Sequence, residues 1–240
     1  MREVSDTIVI IPTYNEDENV ERMTEKVMSL EKDFHILFVD DNSPDQTATI
    51  IKRLMNKYPG RIHIEEREGK MGLGTAYIHG FKWSLKHNYS YVFEMDCDFS
   101  HNPDDLIRLY NACHIDGADV SIGSRYVKGG KISNWPLKRI LMSYFASVYV
   151  RMILWIRIKD TTAGFKCYRS EVLSKINLDG VTFKGYAFQI CMKYAAKKHG
   201  FKITEVPITF VDRVFGESKM TTGIFKEAFF GVWKMRRMKL

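Results

Sequence analysis

The chain has 240 residues, long enough for one domain to bury a complete core, and its 45% hydrophobic, 27% charged composition excludes a disordered or fibrous protein. A formal net charge of +7 suits nucleic acid, anionic lipid or a phosphorylated substrate equally and selects none of them. Cys97, Cys113, Cys167 and Cys191 have no CxxC spacing, so neither a zinc site nor a disulfide framework is signalled, and free thiols in a reducing compartment are expected.

Met1–Thr7 is polar and Ile8–Pro12 is too short for the apolar stretch of a secretory leader, so none is expected. Thr7–Pro12 is a continuous apolar run, the pattern of a strand covered on both faces. Val20, Met23, Val27, Met28 and Leu30 follow at near-helical spacing. Strands are then predicted over His35–Asp40, Ile62–Glu66, Tyr91–Met95 and Asp119–Gly123, with helices over Thr47–Tyr58, Thr75–Lys86 and Asp104–His114 between them. This alternation predicts an α/β fold, a mostly parallel sheet with helices on both faces. After Gly130 the pattern changes to a long amphipathic stretch, mixed elements and a basic aromatic tail from Ile224 to Leu240. The expected organisation is one continuous unit with a ligand-binding α/β half, 1–130, and a second half, 131–240, that extends the site.

Ligands of open α/β sheets gather at the carboxyl ends of strands. Those ends here carry Pro12-Thr-Tyr14-Asn-Glu16, Val39-Asp-Asp41-Asn-Ser43, Asp96-Cys97-Asp98-Phe-Ser100-His101 and Gly123-Ser-Arg125-Tyr126. Asp96 and Asp98 flank one residue just past a buried strand, where they can offer hard oxygens to Mg²⁺ or Mn²⁺. A solvated turn with N-cap acids accounts for the same residues, but the acids on two other strand ends favour a site. Asp41 is placed to accept hydrogen bonds from a base or ribose. Lys70-Met-Gly-Leu-Gly-Thr75 precedes a helix but has neither GxGxxG nor GxxxxGK[ST] spacing, which disfavours dinucleotide and P-loop readings. His101 reads as a structural hydrogen-bonding residue and not as a base.

Together with Asp160-Thr-Thr-Ala-Gly-Phe-Lys166 and Arg213-Val-Phe-Gly-Glu-Ser-Lys-Met220, these segments resemble family 2 inverting glycosyltransferases of the dolichyl- or polyprenyl-phosphate mannose synthase branch. The resemblance runs from Ile8 to Met220 and implies a GT-A fold of the nucleotide-sugar-binding type. It implies donor contacts at Pro12, Tyr14, Glu16, Val39 and Asp41. The metal and diphosphate are implied at Asp96, Cys97, Asp98 and Ser100, phosphate contacts at Arg125, Arg213 and Lys219, and acceptor contacts at Arg125, Arg139 and Ser143. Cys97 stands where the family often has Ala, and many relatives carry C-terminal membrane-spanning helices that have no counterpart in this sequence.

The implied reaction moves mannose from GDP-mannose to a polyprenyl phosphate, with a divalent cation as cofactor. A phosphate is already anionic near pH 7, so its attack needs no general base, and arginines and a metal suit the departing diphosphate. A uridine donor carrying glucose or GlcNAc is the nearest alternative, and a non-catalytic membrane-associated scaffold is a further one. Nucleic acid is not an expected partner: no aromatic pair of the RNA-binding kind lies on a strand, and acidic strand ends repel phosphates. Ile140, Tyr144, Val148, Met152 and Trp155 form one helical stripe, widened by Leu141 and Phe145, with Ser143, Ser147 and Arg151 on another face. Such a stripe is either core or a helix lying in a membrane interface. With the basic aromatic tail it suggests a peripheral enzyme at the cytoplasmic face, or one docked on a membrane-anchoring subunit.

Overall fold

The computed structural model describes residues 5–212 and 222–238, with side chains described through residue 212 and from residue 229 onward. Strands β1 (Thr7–Thr13), β2 (His35–Asp40), β3 (Ile62–Glu66), β4 (Tyr91–Glu94) and β5 (Val120–Ser124) alternate with helices α1 (Asp17–Met28), α2 (Thr47–Lys57), α3 (Leu73–Lys86) and α4 (Asp105–His114). The second half adds β6 (Lys131–Ser133), α5 (Leu137–Leu154), β7 (Lys166–Arg169), α6 (Ser170–Lys175), α7 (Tyr186–Lys198), β8 (Ile203–Pro207), β9 (Thr209–Val211) and α8 (Thr222–Arg237). Seven strands form the main sheet in the order β3-β2-β1-β4-β7-β5-β8, while β6 and β9 pair in parallel beside it.

Consecutive side chains of a strand point to opposite faces, and a sheet covered on both sides can therefore be apolar throughout. In β1, Ile8 and Ile10 join the core beneath α3 and α7, whereas Val9 and Ile11 join the core beneath α1, α2 and α4. Leu37 and Val39 divide from Ile36 and Phe38 in the same way. Gly80 lets α3 approach the sheet closely, since a Cβ there would stand 2.7 Å from Ile10 Cγ2.

One strand departs from the parallel pattern. β7 inserts antiparallel between β4 and β5, pairing Glu94 with Lys166 and Ile122 with Lys166 across its two edges. The second half of the chain thus supplies an interior strand of the sheet as well as β8 at its edge.

Helix α5 corrects the predicted polar face. Ser147 is buried together with Val150, Ile153 and Leu154, and its Oγ lies 3.2 Å from Thr161 Oγ1. Leu137, Leu141, Met142, Tyr144, Phe145 and Met152 are exposed instead. The helix packs chiefly through its last turns, and these six apolar residues remain outside. It ends at Trp155, which adopts a left-handed conformation at φ 54° and is 82% exposed.

Candidate active site

The strand ends open into a cleft of about 450 Å³ lined by both halves of the chain. On its first wall, two adjacent acids at the end of β2 have separate tasks. Asp40 is buried and structural: its carboxylate accepts from Thr13 Oγ1 at 2.8 Å and from the Ser43 backbone N–H and hydroxyl at 2.8 and 2.7 Å. Asp41 lines the cleft and accepts from Arg67 Nε at 2.7 Å, while Arg67 Nη1 donates to Thr75 Oγ1 at 2.9 Å. Because Thr75 Oγ1 bonds Gly72 O at 2.7 Å, Arg67 ties the end of β2 to the glycine loop. Pro12, Tyr14 and Glu16 from the end of β1 complete this wall, with Lys70 Nζ 4.8 Å above the Tyr14 ring.

The acidic loop after β4 forms the floor. Asp98 is 7% exposed, and its Oδ1 accepts the Ser100 N–H at 3.0 Å. Between them Phe99 sits at φ 58°, a conformation costly for a bulky side chain and commoner where a loop is held for function. Asp96 accepts from Tyr77 at 3.2 Å, and its backbone N–H donates to His101 Nδ1 at 3.5 Å. His101 stacks on Phe165 at 5.0 Å. Burial lowers its pKa to about 4, outweighing the opposing charge of Asp98, so the imidazole is neutral near pH 7.

Two arginines, each paired with a carboxylate, lie on another part of the lining. Arg125 Nε and Nη2 bond the two oxygens of Asp160 at 2.7 Å each, and Nη2 also donates to Thr162 Oγ1 at 2.8 Å. Burial would raise the Asp160 pKa, but the Arg125 charge and hydrogen bonds overcome it and hold the carboxylate below its ordinary range. Arg139, from the first turn of α5, bonds Asp212 at 3.0 Å and lies 3.9 Å above the Trp135 ring. Lys193 is fully buried and donates to Thr161 O and Ala163 O at 2.9 and 2.6 Å, which pins the loop carrying Asp160. Its pKa is driven well down, first by burial.

The cleft therefore brings together Pro12, Tyr14, Glu16, Asp41, Asp96, Cys97, Asp98, Ser100, Arg125 and Arg139. Val39 is fully buried in the core, with its side chain behind the cleft wall. Ser143 lies beside Tyr126 and outside the lining. Arg213 and Lys219 lie outside the described residues. Arg67 and Gln189 were not anticipated, because an Arg after a strand and a Gln inside a helix carry no motif.

A model of the glycosyl transferase family 2 domain matches residues 8–176. The chain belongs to glycosyl transferase family 2. It is 47% identical over 238 residues to the polyprenol monophosphomannose synthase of Mycolicibacterium smegmatis, covering 98% of this chain and 89% of that protein. It is 43% identical over 221 residues to the undecaprenyl-phosphate mannosyltransferase of Micrococcus luteus, covering 92% of this chain and 90% of that protein. A glucosyl-3-phosphoglycerate synthase from Mycobacterium tuberculosis, crystallised with Mn²⁺, UDP and phosphoglyceric acid, superposes with a TM-score of 0.66 at 14% identity over 95% of this chain and 78% of that one. The same enzyme with Mg²⁺ and UDP gives a TM-score of 0.65 at 14% identity, covering 98% of this chain and 80% of that one. These two likenesses are of fold. The chain is a glycosyltransferase with a GT-A-like fold.

The site's chemistry suits a hard divalent cation. Among the described residues no group of three or more His, Cys, Asp or Glu side chains is arranged to enclose a metal. Asp96, Asp98 and Ser100 share the cleft lining and carry oxygen donors of the kind that Mg²⁺ or Mn²⁺ takes when it shares its coordination with water and a diphosphate.

Proposed function

We propose that this family 2 glycosyltransferase transfers a mannosyl group from GDP-mannose to a polyprenyl phosphate, with inversion at the anomeric carbon. The observation that carries the reading is that one cleft holds the carboxylates of Asp96 and Asp98 together with the guanidinium groups of Arg125 and Arg139. An acceptor that is itself an anion needs such guanidinium groups and needs no base. Arg139 belongs to the helix whose following turns leave Leu141, Met142 and Phe145 exposed, which suits an acceptor with a long apolar tail. The names of the two similar mannosyltransferases support the same acceptor class and sugar.

In the proposed reaction an acceptor phosphate oxygen attacks the anomeric carbon. The carbon–oxygen bond to the diphosphate breaks, and the nucleoside diphosphate leaves with that electron pair. Pro12, Tyr14, Glu16 and Asp41 hold the nucleoside end, with Arg67 fixing the Asp41 carboxylate. Arg125, oriented by Asp160, presents charge to the phosphates, and Arg139 draws the acceptor phosphate towards the sugar. Asp96, Asp98 and Ser100 would hold Mg²⁺ or Mn²⁺, which when bound neutralises charge on the departing diphosphate. Arg213 and Lys219 are proposed as further phosphate contacts. In this reading residues 1–130 bind the donor and residues 131–240 bind the acceptor.

No helix among the described residues is long and apolar enough to cross a membrane. The enzyme is proposed to meet its acceptor peripherally at the cytoplasmic face, through the exposed residues of α5 and through Phe229, Phe230 and Trp233 of α8. Lys234, Arg236 and Arg237 in the last turn of α8 suit anionic headgroups. A membrane-anchoring subunit is the alternative occupant of the same face.

The test is a transfer assay with purified protein, Mg²⁺ or Mn²⁺, a polyprenyl phosphate, and GDP-mannose, UDP-glucose or UDP-GlcNAc in parallel. Labelled lipid from GDP-mannose alone, reduced at least about 100-fold by Asp98→Ala, is the expected result. Labelling from a uridine donor would replace the proposed sugar, and no labelled lipid from any donor, with membranes added, would overturn the reading.

A further inference from the structure

Gln189 lies in the cleft lining with no part in the reaction as derived above. It belongs to α7 and is only 3% exposed, yet its amide end reaches the cleft. The orientation of that amide follows from its neighbour. Lys166 Nζ bonds Gln189 Oε1, and an ammonium group can only donate, so the carbonyl end is committed inward. Lys166 is in turn fixed by Glu94, its cross-strand partner, at 2.9 Å, and Tyr168 donates to the same Glu94 oxygen at 2.9 Å. The NH₂ end is left to face the loop at Gly164. A Cβ on Gly164 would stand 3.6 Å from Gln189 Nε2, 3.8 Å from His101 Cε1 and 3.9 Å from Asp96 Oδ2. The missing side chain therefore leaves a corner with an N–H donor on one side and a carboxylate oxygen on the other.

We propose that this corner binds one hydroxyl group of the transferred sugar, and that the buried Lys166–Glu94 pair is the positioning element that makes Gln189 a donor there. A hydroxyl can accept from the amide and donate to the carboxylate at once, whereas an ionised phosphate oxygen can only accept. The assignment rests on the reading of the cleft as a nucleotide-sugar site. Gln189 is then a substrate-contacting specificity residue for the sugar, and Lys166 acts through it.

The test measures binding by calorimetry of the nucleotide-sugar, the free nucleoside diphosphate and a set of singly deoxygenated sugar donors, with Mg²⁺ present. Gln189→Leu is expected to weaken the nucleotide-sugar about fivefold to tenfold, the worth of one neutral hydrogen bond, and to leave the free diphosphate unchanged. One deoxy donor should bind the wild type worse by more than that, because it loses the bonds to both Gln189 and Asp96, and its disadvantage should shrink in Gln189→Leu to the part owed to Asp96. The double variant Glu94→Gln/Lys166→Met keeps Gln189 and removes both charges, and it is expected to lose most of the part owed to Gln189. Equal weakening of the free diphosphate would place the amide on a phosphate and overturn the proposal. So would deoxy selectivity that is unchanged in a folded Gln189→Leu or in the double variant. A wild type that binds the diphosphate but gains nothing from the sugar would overturn this inference alone, whereas one that binds no nucleotide at all would overturn the nucleotide-sugar reading with it.

Discussion

Asp160→Asn is expected to be among the most damaging single substitutions in the cleft, because it strands a buried charge. The Arg125 and Asp160 side chains are 6% and 0% exposed, so water can replace neither partner. The carboxylate accepts from Arg125 Nε and Nη2 at 2.7 Å each and from the Arg125 backbone N–H at 3.0 Å. Asn offers one acceptor oxygen and turns an NH₂ group towards the guanidinium. Removing one member of a buried, hydrogen-bonded ion pair costs about 3–5 kcal/mol. For a chain of this size that corresponds to a fall in Tm of roughly 6–20 °C. Thermal and urea unfolding would measure it, each checked for a single transition. Adding Arg125→Gln removes the stranded charge, so the double variant should recover part of the loss, with a coupling on the order of 2–3 kcal/mol. A single variant that melts within about 2 °C of the wild type would refute the reasoning, since the cited cost would then be absent. A double variant as unstable as the sum of the singles would do the same.

Gly80→Ala should destabilise the fold by about 1–3 kcal/mol, because its Cβ would lie 2.7 Å from Ile10 Cγ2 on a strand buried on both faces; urea midpoints at unchanged slope would measure it, and a neutral result would show that α3 can shift. Acidification should also destabilise the protein. Burial lowers the pKa of His35 and of His63, the latter helped by the charges of His35 and His87, so the unfolded chain binds more protons just below its pKa of about 6.5. Stability therefore falls as pH drops from 7.5 to 5.5, and His63→Gln should flatten the trend in Tm; a Tm that rises on acidification would contradict this. Glutamate at Leu141 and Phe145, which are 46% and 62% exposed, should leave Tm nearly unchanged but reduce sedimentation with anionic vesicles and transfer to vesicle-borne acceptor. Transfer to a short, water-soluble polyprenyl phosphate should survive, and equal loss with both acceptors would place the effect in the cleft and not on the membrane face.

The readable half of this enzyme is the half in which each residue's role depends on near neighbours in sequence. β1 and β2 are unbroken apolar runs because both faces are covered, and the acids just past β2 and β4 fall at the carboxyl ends where ligands collect. There Asp41, singled out for the donor, lines the cleft, whereas Asp40 before it bonds Thr13 and Ser43, a task that no local pattern announces. Strand β7 escaped notice because Lys166 reads as solvent-exposed, and its burial makes sense only once Glu94 stands opposite it across the β4–β7 ladder. Arg125 and Asp160 are 35 positions apart, and the pairing that holds the arginine in the cleft wall depends on the loop that leads into that same inserted strand. Helix α5 stays open in the sequence for a different reason. Periodicity finds a stripe of apolar side chains but not which side the rest of the molecule covers, and here the core takes Ser147 and leaves Phe145 outside. The antiparallel strand thus links the two omissions: it carries the lysine that aims Gln189 and follows the loop whose aspartate aims Arg125. Sequence patterning locates the groups at the strand ends, whereas the orientation of Arg125 and Gln189 depends on partners that the inserted strand and its leading loop bring into contact.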